Sequence, residues 1–167
     1  VLGRASKVEV EKENTIIAMG EENWATTLSL YDVTDFANPS LLKRLNFDYD
    51  GYSTAVVDHK AFTFNAQTGF LALPFSRYGD VFVTGVHTFA VTTDNIAAGG
   101  FLPVAHPSGN LESDARRSLY IGDYMYGMSR CRLSSAAIDA PQQVIDSVAL
   151  YAGDSCGDGD YRGYYYW

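Results

Sequence analysis

Ser118-Leu119-Tyr120-Ile121, Gly122-Asp123 and Tyr124-Met125-Tyr126-Gly127-Met128 follow one another without a break. Two runs rich in β-formers flank a two-residue loop. Gly-Asp suits a type II′ or I′ turn, whose backbone twist matches that of paired strands. The stretch therefore reads as an antiparallel hairpin. Arg130 to Ser134 and Val144 to Leu150 extend it to a block of four strands.

The same grammar runs back toward the N-terminus. A second block opens near Gly51. In it, Ala61-Phe62-Thr63-Phe64 and Phe70-Leu71-Ala72-Leu73 flank the polar loop Asn65-Ala66-Gln67-Thr68-Gly69, which reads as another hairpin. Pro74 is expected to end or edge the second run, because proline cannot donate to a ladder. Asp80 to Val83 and Val86 to Thr92 read as separate strands, Asp94 to Gly100 as a turn, and Phe101 to Ala105 as the strand that pairs back. In the first block Val8-Glu9-Val10-Glu11 and Thr27 to Val33 alternate apolar and polar residues, as half-buried strands do. Thr15 to Met19 is a short apolar run, and Leu41 to Phe47 resumes the pattern after the turn residues Asp35, Asn38 and Pro39. Helical expectations are confined to Ser135 to Ala140 and the stretch around Ala115, neither long enough to show a 3.6-residue period.

About four strands recur three times at a spacing of roughly 40–55 residues, which is the pattern of propeller blades. The expected fold is all-β: a partial β-propeller of about three four-stranded antiparallel blades. The expected blades are residues 1–50, 51–114 and 115–153, with an acidic and aromatic tail at 154–167. A β-sandwich has a similar strand density and is the alternative.

Composition narrows the function. The 167 residues suit one domain. Twenty acidic against 12 basic residues give a net charge of −8, and such a surface repels phosphates, so nucleic acid is not an expected partner. With 47% hydrophobic and 19% charged residues, the chain is not disordered in character. No apolar run approaches the ~20 residues of a membrane-spanning helix. Residues 1–7 lack the pattern of a signal peptide, so Val1 reads as a cleavage point or a boundary within a longer chain. G-x-S-x-G elbows, phosphate loops and dinucleotide fingerprints are missing from the sequence.

Three stretches resemble one family. Leu28-Ser29-Leu30-Tyr31-Asp32-Val33-Thr34-Asp35-Phe36-Ala37-Asn38-Pro39 is similar to an L-x-L-[FY]-D-V-[ST]-D-P-x-N-P element. Tyr52-Ser53, Asp58-His59-Lys60-Ala61-Phe62 and Gly69-Phe70-Leu71-Ala72-Leu73-Pro74 resemble a D-H-K-A-F … L-L-A-I-P hairpin. Arg116-Arg117-Ser118-Leu119-Tyr120-Ile121-Gly122-Asp123-Tyr124-Met125-Tyr126 resembles R-S-L-Y-I-G-D-x-L-Y. All three belong, in this order, to bacterial and archaeal secreted proteins with a C-terminal β-propeller domain. Phe36 departs from the family's proline, and residues 1–14 and the tail from Asp154 match nothing in it. The resemblance implies a secreted location and a domain longer than this chain, of which the chain is the C-terminal part or a piece that completes it. It also implies a disulfide between Cys131 and Cys156, the only cysteines, closing a loop of about 25 residues worth on the order of 3 kcal/mol.

Several residues are candidates for chemistry. His59, between Asp58 and Lys60, reads as a structural histidine, or as a metal ligand or a base oriented by Asp58. His87 and His106 lack HxH or HxxxH spacing for zinc or copper. Asp32, Asp35 and Asn38 share one turn that either binds Ca²⁺ or caps its own backbone. Asp154, Asp158 and Asp160 put three carboxylates within seven residues beside glycines and are a second calcium candidate, although the spacing is not that of an EF-hand. Tyr164, Tyr165, Tyr166 and Trp167 suit docking to another chain or stacking on a sugar. The expected function is a non-enzymatic, extracellular or cell-surface module for protein association or assembly. The alternatives are an extracellular metal-dependent hydrolase with its site at the propeller channel and a calcium-dependent glycan binder.

Overall fold

The structure is a computed structural model and describes residues 6–10, 14–22, 25–46, 51–77, 82–104 and 114–150. The chain is all-β, as its alternation predicts. Its strands are β1 (Ser6–Val10), β2 (Thr15–Glu22), β3 (Ala25–Asp32), β4 (Ser40–Asn46), β5 (Gly51–Tyr52), β6 (Thr63–Asn65) and β7 (Phe70–Arg77). They continue with β8 (Val83–Val91), β9 (Ile96–Pro103), β10 (Arg117–Ile121), β11 (Tyr124–Met128), β12 (Arg132–Ala137) and β13 (Val144–Ala149). Two 3-10 turns, Thr54–Val56 and His59–Ala61, lie between β5 and β6.

Among the described residues these strands form three antiparallel sheets. The first has the order β1-β2-β3-β4 and the third β10-β11-β12-β13, each a meander. The second has the order β5-β7-β8-β9, and β6 also pairs β7. It therefore has five strands where the sequence suggested four. Asp80 to Val83 and Val86 to Thr92 are not two strands: from Val83 onward they form β8, which runs unbroken through Gly85. A side chain at Gly85 would strike the backbone of Leu102 and the ring of Phe101. The glycine marks a close approach of strands and not a break.

Pro74 is likewise not a terminus. It sits inside β7, opposite Val86 on one side. On the other side β6 pairs residues 70–72 and β5 pairs residues 76–77, so the proline falls in the gap between two short partners. There Ser53 Oγ donates to its carbonyl. Ser135 to Ala140 is not helical: β12 runs to Ala137, and tight turns follow. Around Ala115 the chain forms no helix and runs into β10. The stretch Asp94 to Gly100 contains only a short turn before β9 begins at Ile96.

The β10–β11 hairpin takes the expected two-residue loop, with Ile121 opposite Tyr124. Gly122 has φ +57°, and among the described residues Asn14 is the sole non-glycine at positive φ. One positive φ at the first loop position makes this a type II′ turn.

The second sheet is buried on both faces. Leu71, Leu73, Phe89, Val91 and Ile96 pack against Ile17, Met19, Leu28 and Leu30 of the first sheet. On the opposite face, Phe70, Ala72, Val86 and Leu102 pack against Met125 and Ala136 of the third sheet. This explains why Phe70 to Ser76 is buried throughout and reads as one apolar run, whereas strands with a free face alternate.

Candidate functional site

The acidic turn between β3 and β4 spends its carboxylates on its own backbone. Asp32 Oδ1 accepts from Thr34 N (2.8 Å) and Thr34 Oγ1 (2.6 Å). Asp35 Oδ1 accepts from Ala37 N (3.0 Å), and its Oδ2 accepts from Asn38 Nδ2 (2.8 Å). These bonds hold both carboxyls below their usual range, through Thr34 for Asp32 and Asn38 for Asp35. They are Asx turns.

His59 begins the second 3-10 turn and is exposed. Asp58 caps that turn by accepting from Lys60 N at 3.0 Å. Its other oxygen pairs with Arg117 Nη2 of the third sheet at 2.6 Å. The Lys60 amide and then the Arg117 guanidinium hold the Asp58 carboxyl low. Asp58 thus ties a turn of the second block to β10. Thr63 Oγ1, which donates to Ser118 O at 2.7 Å, and Thr84 Oγ1, which accepts from Ala115 N at 2.7 Å, make further ties.

The structure keeps these expected site residues in separate turns. Among the described residues, no group of three or more His, Cys, Asp or Glu side chains comes together to hold a metal ion. His87 is enclosed by rings, with Phe101 at 4.7 Å and Phe75 at 5.0 Å between centroids. Burial pushes its imidazole down to about 4. His106, Cys156, the acids Asp154, Asp158 and Asp160, and the aromatic Tyr164, Tyr165, Tyr166 and Trp167 lie outside the described residues. Cys131 is buried and disulfide-bonded.

Two other features stand out. The first is the outer face of the third sheet, turned away from the second. Cross-strand pairing puts Leu119 beside Tyr126, Ile121 beside Tyr124, and Leu133 beside both Met128 and Val148. Ile121 is 65% exposed and Val148 53%. The face of the first sheet opposite its apolar core is mixed: Arg44 Nε donates to Ser29 Oγ across it, and Ile16, Tyr31 and Leu41 lie beside that pair.

The second feature is a pocket of about 540 Å³ between the second and third sheets. The β6–β7 loop with Asn65 and Thr68 forms one wall, and Phe70, Thr88 and Phe89 line it from the strands. The opposite wall comes from Asp123 and Tyr124 at the β10–β11 turn and from Ile138 and Asp139 after β12. Ile138 N donates to Asp123 O at 3.0 Å and draws these two segments together. None of Asp32, Asp35 and His59 lines this pocket. Sequence reasoning missed it. Asp123 was visible only as a turn residue, and Asp139 fell in a stretch read as helix.

Residues 8–140 match the beta propeller domain family. The chain belongs to that family. An uncharacterized protein of Archaeoglobus fulgidus is 28% identical over 114 residues, which cover 68% of this chain and 16% of the relative. The propeller-family chain thus spans about one-sixth of that relative's length. No helix among the described residues is long and apolar enough to cross a membrane.

Proposed function

We propose that this chain is a non-enzymatic, extracellular or cell-surface propeller module that acts by association. In this reading about three antiparallel blades, at residues 1–50, 51–114 and 115–153, form the C-terminal part of a ring. The outer face of the third sheet docks a further sheet of the same ring. The observation that carries the reading is that face: Leu119, Ile121, Tyr124 and Val148 are exposed on it. Covering one such aliphatic side chain is worth about 1.5–3 kcal/mol, and contiguous apolar faces mark contact surfaces. The second sheet is the precedent within the chain, since both its faces are covered by neighbouring sheets. The length of the archaeal relative supports a larger whole. The disulfide at Cys131 supports an oxidising compartment, with Cys156 as its partner in this proposal.

The test is the double variant Ile121→Glu with Val148→Glu. The native chain should bind a dye for exposed apolar surface and associate as concentration rises. The variant should do neither, while keeping the circular dichroism of the native sheets. A native chain that stays monomeric and binds no dye would overturn the reading.

A further inference from the structure

We propose that the open face of the third sheet docks on the open face of the first sheet of a second copy of this chain, a head-to-tail contact that rests on the association reading above and names its partner. Within the chain the three sheets stack in one sense. One face of the second sheet covers the first, and its other face covers the third. The stack therefore ends with one open face on the first sheet and one on the third. A contact between these two unlike faces, made by a second copy, continues the interface already present between neighbouring sheets. A third sheet placed on another third sheet would join two like faces, which the chain does nowhere among its described residues.

The two open faces match a pair that already meets inside the chain. The covered face of the third sheet is small at its centre. Gly127 lies between Ser118 and Ser134, both buried. A side chain added at Gly127 would strike Val104 at 2.7 Å and Val86 at 2.9 Å, which pack there from the second sheet. The open face of the first sheet repeats this pattern in the same strand positions. Side chains alternate along a strand, so β2 presents Ile16 and then Ala18 where β11 presents Met125 and then Gly127. Likewise β3 presents Ser29 opposite Ala18, where β12 presents Ser134 opposite Gly127. Bulky side chains seat over such small ones when sheets close-pack. The open third sheet supplies the bulk, with Leu119, Ile121 and Tyr124 exposed. The charges agree as well. Arg44 is exposed beside Ser29 on the first sheet's open face, and Asp146 is exposed beside Ser135 on the third sheet's. Opposite signs across a contact select the partner and its register, whereas two third sheets would set Asp146 on both sides.

The test mixes two variants of the full chain and reads particle mass by light scattering. Ile121→Glu with Val148→Glu spoils the third sheet's face, and Leu41→Glu with Arg44→Glu spoils the first sheet's. All four positions are exposed, so both variants should keep the circular dichroism of the native sheets. Leu41→Glu alone is a milder change to the first sheet and should weaken association in the same direction. At a concentration where the native chain associates, each double variant alone should have the mass of a single chain, because a head-to-tail contact needs both faces. Their equimolar mixture should form particles of twice that mass. The one variant keeps a sound first sheet and the other a sound third sheet, and with one good contact per pair the growth open to the native chain stops at two. A first-sheet double variant that associates as the native chain does would overturn the head-to-tail contact and leave the association reading standing. A mixture that stays at the mass of a single chain would overturn it too. A native chain that never associates would overturn both.

Discussion

His87 should make the fold sensitive to mild acid. In the native chain its imidazole sits among Phe75, Phe89 and Phe101, and burial lowers it from 6.5 to about 4. In the unfolded chain it titrates near its ordinary value. Between those two values the unfolded state takes up a proton that the native state refuses, so stability rises with pH across this window. Its contribution is complete above about pH 6.5 and falls by roughly 1.4 kcal/mol per unit below it. The loss from about pH 7.5 to about pH 5 is therefore about 2 kcal/mol. Urea unfolding of the native chain and of His87→Phe at both pH values measures it. The phenylalanine variant keeps a ring in the slot but cannot titrate, so its stability should change by much less. The lowered aspartates do not confuse the result, because their effect falls below their ordinary value of 3.8. An equal loss in both proteins would refute the reasoning.

Three further outcomes are expected. Gly69 and Gly122 both have positive φ, but a side chain at Gly69 would fall on the carbonyl oxygen of Val91 while one at Gly122 meets open space. Thermal melts should show Gly122→Ala costing about 1 kcal/mol and Gly69→Ala about 3 kcal/mol or more. The Asp58 carboxyl is lowered in the native chain, so its contribution is present above 3.8 and lost as pH falls through the lowered value. Asp58→Asn should be less stable at neutral pH and lose less than the native chain on strong acidification, as unfolding midpoints would show. Cys131→Ser, or full reduction of the native chain, should lower stability by about 3 kcal/mol if a loop of about 25 residues is closed. Unchanged denaturation on reduction would contradict the pairing with Cys156.

Much of the fold was legible because its local signals agree with its topology. The first sheet's four strands followed from alternation and turn residues, and Gly122-Asp123 fixed both the third sheet's hairpin and its register. The second sheet was harder. It is covered on both faces, so β7 shows no alternation, and short-range rules misread Gly85 and Pro74. Gly85 is required by a neighbouring strand distant in sequence, and Pro74 is tolerated because two short partners leave a gap beside it. The site was less legible. Asp32, Asp35 and Asp58 carry conspicuous side chains, yet the structure shows them bonding turns and, for Asp58, Arg117. The pocket draws on segments from residue 65 to residue 139, a juxtaposition that no local motif encodes.

The most direct test of the account is the mass of the native particle by light scattering over a range of concentrations, measured beside Ile121→Glu with Val148→Glu. The account predicts that the native chain associates through the outer face of its third sheet and that the double variant has the mass of a single chain. A native chain with the mass of a single chain at every concentration, or a variant that associates as the native chain does, would contradict it.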